Sequence, residues 1–207
     1  MSKIDKSFYR RKDVVKISKE LLGKVLCSKV DGLYTSGVIV ETEAYQGATD
    51  KACHAYQNKR TKRTEVFFNN GGIAYVYLCY GIHHLFNVIT NSESEADAVL
   101  IRAVEPVEGI DLMIKRRKLK EIRPNLTAGP GILSEAMGIR THHNGVDLQS
   151  DLIWIEDRNI NLTNSQISSA PRVGCESAGN AGYWPWRFRI KGNKWTSPGK
   201  SRLTALK

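Results

Sequence analysis

The chain has no apolar run long enough to cross a membrane and no hydrophobic core region of a secretion signal behind its first residues, so a cytosolic protein is expected. Cysteine is scarce: Cys27, Cys53, Cys79 and Cys175 are far apart and form no Cys-x-x-Cys pair. That argues against a zinc site and a disulfide framework, and for reduced thiols that mostly pack. No Gly-x-x-x-x-Gly-Lys-Ser/Thr loop and no Gly-x-Gly-x-x-Gly follows a strand-like run, which removes the usual nucleotide cofactors. His83-His84 and His142-His143 are adjacent pairs, without the usual metal-ligand spacing. Cys53-His54 is a poor thiolate–imidazole pair for the same reason, since sequence neighbours rarely face each other. Neither a metal nor a cofactor is expected.

Acidic residues are also in deficit. Twenty-one Asp and Glu against thirty-one Lys and Arg leave a formal charge of +10 over 207 residues. The excess is clustered at Lys59-Arg60-Thr61-Lys62-Arg63, at Lys115-Arg116-Arg117-Lys118-Leu119-Lys120, and through Arg187, Arg189, Lys191, Lys194, Lys200 and Arg202. Such surfaces attract phosphate backbones by Coulomb steering and counterion release, although a basic run can equally be a solvated face.

The most telling segment is Ile39-Val40-Glu41-Thr42-Glu43-Ala44-Tyr45. Its β-branched lead-in reads as a buried strand that runs into two carboxylates and an aromatic ring. Alternation puts Glu41, Glu43 and Tyr45 on one face. A carboxylate held against a core can serve as a general base, whereas the plain reading is a half-exposed strand with solvated acids. Around it, Asp13 can cap a helix carrying Val14, Ile17, Leu21 and Leu22 and ending near Gly23. Strands are expected at Lys24 to Val30 and Tyr34 to Tyr45, followed by a long functional loop from Gln46 to Arg63. Asn69-Asn70-Gly71-Gly72 marks a turn before two β-rich runs that meet near Tyr80, Gly81 and Ile82. A further buried strand covers Ala98 to Ala103, with Arg102 near its end. Pro106 is expected to start a helix to about Lys120, and Pro130 another to Met137, stopped at Gly138. Late strands are expected at Leu152 to Glu156 and Arg187 to Lys191. This alternation without repeats indicates one mixed α/β domain spanning residues 1–207.

A strand Glu, a His in the next loop, a tyrosine-rich hairpin and a strand Arg on a basic chain describe a ring-walled pocket with one base. An enzyme that extracts a nucleobase from a duplex needs such a pocket. Several blocks in order then carry a specific likeness: Leu21 to Leu26, Ile39 to Tyr45 with His54, Tyr75-Val76-Tyr77 through Tyr80-Gly81 to Asn87, Val99 to Ala103 with Glu105 to Gly109, Ala128-Gly129-Pro130, and Ala170 to Gly174. From Glu20 to about Gly192 the chain resembles the alkyladenine (3-methyladenine, methylpurine) DNA glycosylases of base-excision repair. Its short length resembles the bacterial members.

The resemblance implies a curved, mainly antiparallel sheet with flanking helices and a protruding β-hairpin that enters the DNA minor groove. It implies Glu43 as the base that activates water, with Arg102 holding the water and orienting the carboxylate. Tyr45, Tyr77 and His54 would clasp the flipped base by stacking and a hydrogen bond, and Asn87 would clash with a 2-amino group. Tyr80, with Ile82 beside it, would fill the gap left in the duplex. A monomeric cytoplasmic, nucleoid-associated enzyme follows. It would hydrolyse the N-glycosidic bond of alkylated purines in double-stranded DNA, without lyase activity.

The residues alone leave plainer readings open. Tyr75, Tyr77 and Tyr80 can be strand aromatics, Asn87 a strand-end turn residue, His54 a loop surface residue, and Arg102 a structural partner of Glu41. Glu41 itself is expected to be support rather than base. The whole chain can be a non-catalytic nucleic-acid-binding module, or a hydrolase of free nucleosides that leaves the basic clusters unexplained. Gly131-Ile132 and Cys175-Glu176-Ser177 depart from the family pattern and touch substrate range and DNA affinity. One geometric condition follows. For Tyr77 and Asn87 to share a face, the hairpin needs an odd-numbered loop or a bulge near Gly81, because a one-residue shift flips every side chain.

Overall fold

Asp13 accepts a hydrogen bond from the Lys16 backbone N–H at 2.9 Å, and this cap starts one of the helices that cover the sheet. The computed structural model describes residues 2–92 and 95–203. Its helices are α1 (Lys6–Tyr9), α2 (Val14–Glu20), α3 (Ile110–Arg116) and α4 (Pro130–Ala136). Among the described residues none is long and apolar enough to cross a membrane.

The strands are β1 (Ser2–Lys3), β2 (Val25–Val30), β3 (Leu33–Tyr45), β4 (Ile73–Cys79), β5 (His83–Thr90), β6 (Asp97–Glu108), β7 (Ile153–Asp157), β8 (Ile167–Ala170) and β9 (Arg187–Ile190). They join into one curled antiparallel sheet in the order β1-β7-β2-β3-β6-β5-β4, with β9 on the far half of β3 and β8 on β9. The mixed α/β fold expected from the alternation of elements is present.

β3 is the spine of this arrangement. It is thirteen residues long, and its pairing with β6 slips between Ser36 and Gly37, between Ile39 and Glu41 and between Glu41 and Thr42. Such bulges bend a strand and re-aim its side chains. Gly37 is obligatory near the first slip: a Cβ there would lie 2.7 Å from a Val104 methyl and 2.9 Å from the Glu105 carbonyl. The main core lies between the sheet and the helices, with Ile17 of α2 and Leu21 at its C-terminal cap, Met113 of α3 and Leu133 of α4 against Ile39, Phe86 and Ile101. A second, smaller cluster around Phe67, Tyr75, Ala98 and Cys53 forms a separate wall.

Two expectations are corrected. Pro106 does not start a helix; it is a strand residue opposite Gly37, and the helix begins only at Ile110, after Gly109. β6 pairs with β5 only as far as Leu100, so at Pro106 one edge of the strand is open and the missing N–H is not needed. By the same extension Arg102 stands in the middle of its strand rather than near its end. The short strands β1 and β8 carry no alternation strong enough to have been expected.

The hairpin meets the register condition. Cys79 pairs with His83 across the three-residue loop Tyr80-Gly81-Ile82, and Tyr75 pairs with Asn87. Tyr75, Tyr77 and Asn87 therefore lie on one face. Tyr80 and Gly81 both take positive φ, 51° and 74°, and Tyr80 is 90% exposed.

Candidate active site

The face shared by Tyr75, Tyr77 and Asn87 opens onto a cavity of about 720 Å³, also lined by Glu43, Tyr45, His54 and Arg102. Its size is that of a small-molecule pocket. The hairpin tip, with Tyr80, and the start of α4, with Gly131 and Ile132, form its rim.

Glu43 is fully buried from bulk solvent, accepts two hydrogen bonds and makes one ion pair. The Val173 backbone N–H donates to Oε1 at 2.8 Å, and the Tyr45 hydroxyl donates to Oε2 at 2.8 Å. Arg102 Nη1 lies 3.2 Å from Oε2. All three are donors, as an ionised carboxylate requires. A carboxylate has about four acceptor sites, so room remains for a water. Burial and then the Glu43 charge hold the Tyr45 phenol well above its ordinary range, which keeps it a donor.

Glu41 is different. Its Oε1 accepts from Arg102 Nε at 2.8 Å, Arg187 Nε at 2.7 Å and the Ser197 hydroxyl at 2.9 Å, and its Oε2 accepts from the Ser197 N–H at 2.5 Å. It accepts four hydrogen bonds, about as many as a carboxylate has acceptor sites, and it does not line the cavity. Burial pushes its carboxyl up, but the charges of Arg102 and Arg187 outweigh this and hold it below the usual range. Arg102 thus touches both glutamates: the pair read from sequence as a plain structural bridge exists, and so does the contact to Glu43.

The ring wall is ordered by arginines. Tyr75 and Tyr77 stack at 5.3 Å between centroids, and His54 meets Tyr77 edge-on at 4.7 Å. Arg63 spans this trio, with Nη2 3.0 Å from His54 Nε2 and its guanidinium 5.2 Å from the Tyr77 ring centre. His54 Nε2 is therefore the acceptor, and Nδ1–H donates to the Tyr75 hydroxyl at 3.0 Å. By area His54 is open towards the cavity mouth, but both ring nitrogens face protein groups. Desolvation and then the Arg63 charge lower its pKa, so the ring is neutral. With both nitrogens engaged, the expected side-chain hydrogen bond from His54 to a base is not free to form in this arrangement.

Behind Tyr45 the Arg172 guanidinium lies 4.6 Å from the ring centre, fully buried and paired with Asp50 and the Ala44 and Ala181 carbonyls. Asn87 is buried, and its amide nitrogen donates to the Tyr75 and Leu85 carbonyls at 3.2 and 3.3 Å, which fixes its orientation at the cavity floor. The thiols of Cys53 and Cys175 are pushed up to about 12 and about 11, chiefly by burial, and are poor nucleophiles. Among the described residues no group of three His, Cys, Asp or Glu side chains could hold a metal.

The family model for methylpurine-DNA glycosylase matches residues 7–194. The chain belongs to the methylpurine-DNA glycosylase family. It is a DNA-repair glycosylase by that membership. Similar proteins, each provisionally named 3-methyladenine DNA glycosylase, come from three bacteria. That of Chlamydia felis is 44% identical over 189 residues, covering 90% of this chain and 95% of its own. That of Clostridium acetobutylicum is 45% identical over 203 residues (94% and 97%), and that of Bacillus cereus strain G9842 is 45% identical over 200 (92% and 97%).

Of the residues expected in the glycosylase site, Glu43, Tyr45, His54, Tyr77, Asn87 and Arg102 all reach the one cavity, Tyr80 stands at its rim, and Ile82 is 70% exposed beside it. Sequence reasoning assigned no site role to Tyr75, Arg63, Arg187 or Ser197. Tyr75 had a usable signal, since it shares the parity of Tyr77; Arg63 lay hidden in a charge run, and Ser197 carried none. At Gly131 a side chain has no room, because a Cβ there would come within 2.9 Å of the His83 side chain. Cys175 lies at the cavity wall, its sulfur 3.8 Å from the Tyr45 hydroxyl.

Proposed function

We propose that this glycosylase removes alkylated purines, of the 3-methyladenine and 7-methylguanine type, from double-stranded DNA as a monomer. Deaminated or etheno purines, hypoxanthine and ethenoadenine, are further substrates in this reading. It acts on chromosomal DNA in the cytoplasm through one domain of residues 1–207. The hairpin tip enters the minor groove, Tyr80 takes the place of the everted nucleotide with Ile82 beside it, and the purine enters the cavity between Tyr45 and the Tyr77–His54 wall. The fixed amide of Asn87 disfavours guanine by clashing with its 2-amino group.

Glu43 takes a proton from the bound water as the oxygen attacks C1′, and the bond from C1′ to the purine nitrogen breaks. An N-alkylated purine carries a positive charge that the bonding electron pair discharges, so it leaves neutral. The carboxylate also faces the positive charge that develops on the sugar. A neutral lesion needs a proton or a hydrogen bond on its leaving nitrogen in addition. No side-chain amine attacks the sugar, and so the strand is not cut.

The reading is carried by Glu43, a buried carboxylate that lines the cavity and keeps acceptor capacity for a water. Its test is Glu43→Gln on duplexes containing ethenoadenine, hypoxanthine or a methylated purine, scored by abasic sites. Lesion binding should persist while base release falls by about a thousandfold, as for loss of a general base; release near the normal rate would refute it.

A further inference from the structure

Arg102 reaches three acceptors with three nitrogens: Nε to Glu41, Nη1 to Glu43 and Nη2 to the Ser197 hydroxyl oxygen at 3.3 Å. A guanidinium is planar and rigid, so fixing two of its corners sets where the third points. Glu41 and Ser197 thereby aim Nη1 at the Glu43 carboxylate. Arg187 Nη2 also approaches the same hydroxyl oxygen at 3.4 Å, while that hydroxyl donates to Glu41. One buried serine therefore closes a cluster of two glutamates and two arginines whose formal charges cancel. Ser197 is 5% exposed and does not line the cavity.

The segment that delivers it is anchored independently. Trp195 is buried, its N–H donates to Asn193 Oδ1 at 2.8 Å, and Asn193 Nδ2 donates to Glu105 of β6 at 2.7 Å. Ser197 lies past residue 194, where the match to the family model stops. We propose that Ser197 is a positioning residue for base excision, the point at which the segment after β9 locks Arg102 against Glu43. This rests on Glu43 being the base, and it adds a part of the catalytic apparatus from outside the matched region.

Ser197→Ala removes the oxygen that receives both guanidiniums and leaves the backbone N–H bond to Glu41. Ser197→Thr keeps the hydroxyl. The measurements are the dissociation constant and the single-turnover release of base for an ethenoadenine duplex, with Glu43→Gln as reference. Ser197→Ala should bind as the unaltered protein does but release base roughly ten- to a hundredfold more slowly, the scale of losing hydrogen bonds to charged groups. Ser197→Thr should recover most of that rate. Release by Ser197→Ala at the unaltered rate, with Glu43→Gln silent, overturns the positioning role and leaves the assignment of the base standing. Equal losses of binding and rate that threonine does not restore also overturn it, since they describe a serine needed only for packing. Normal release by Glu43→Gln would instead sink the underlying reading of the site.

Discussion

Glu43 accepts two hydrogen bonds and faces the cavity, whereas Glu41, two residues earlier on the same strand, accepts four and lies away from it. Hydrogen-bond arithmetic separates base from support where residue type and burial do not, since both are glutamates with no exposed surface. His54 is governed in the same way by a neighbour. Its neutral form is favoured in the folded protein, so the stability it contributes is present above the ordinary 6.5 and is lost as pH falls through the folded value of about 4. Base release near neutral pH should therefore not follow His54 titration. Arg63→Gln removes one of the two causes of the shift. An NMR titration of His54 should then show the midpoint moving up from its depressed value towards 6.5; an unchanged midpoint would mean that Arg63 does not set the state of this ring.

At the scale of elements, the hairpin and the bulged strand β3 do the positioning. The odd loop puts Tyr75, Tyr77 and Asn87 on one face, and this was legible because strand parity is a local property of the chain. Pro106 was misread as a helix start because the proline's tolerance depends on whether a neighbouring strand needs its N–H, which is a fact about β5 and not about Pro106. The tip holds Tyr80 at positive φ, an uncommon conformation for a bulky residue, with almost its whole side chain in solvent. Tyr80→Ala should leave the thermal midpoint nearly unchanged, since surface changes are worth about 0.5 kcal/mol or less. Excision from duplex DNA should nevertheless fall by about tenfold or more, for loss of a stacking ring worth roughly 1–3 kcal/mol. Equal activity of the two proteins on duplex substrate would remove the hairpin tip from the mechanism.

At the scale of the molecule, the surplus of +10 charges predicts salt-sensitive DNA binding. If about four phosphates are neutralised, affinity for undamaged duplex should drop on the order of a hundredfold between about 50 and 200 mM salt. A flat salt dependence in a filter-binding or anisotropy titration would mean that the basic clusters are only solvated surface. Composition, strand parity, the Asp13 cap and the ordered blocks of family likeness were all determined by the sequence itself, because each depends on residues close together in the chain or on their order. Which glutamate has room for water, which tautomer His54 adopts, and that Arg187 and Ser197 join Glu41 across 146 and 156 residues were decided only by the folded structure. Those facts depend on which distant groups compete for the same lone pairs, and that competition begins only when the strands and the segment after β9 have closed around Arg102.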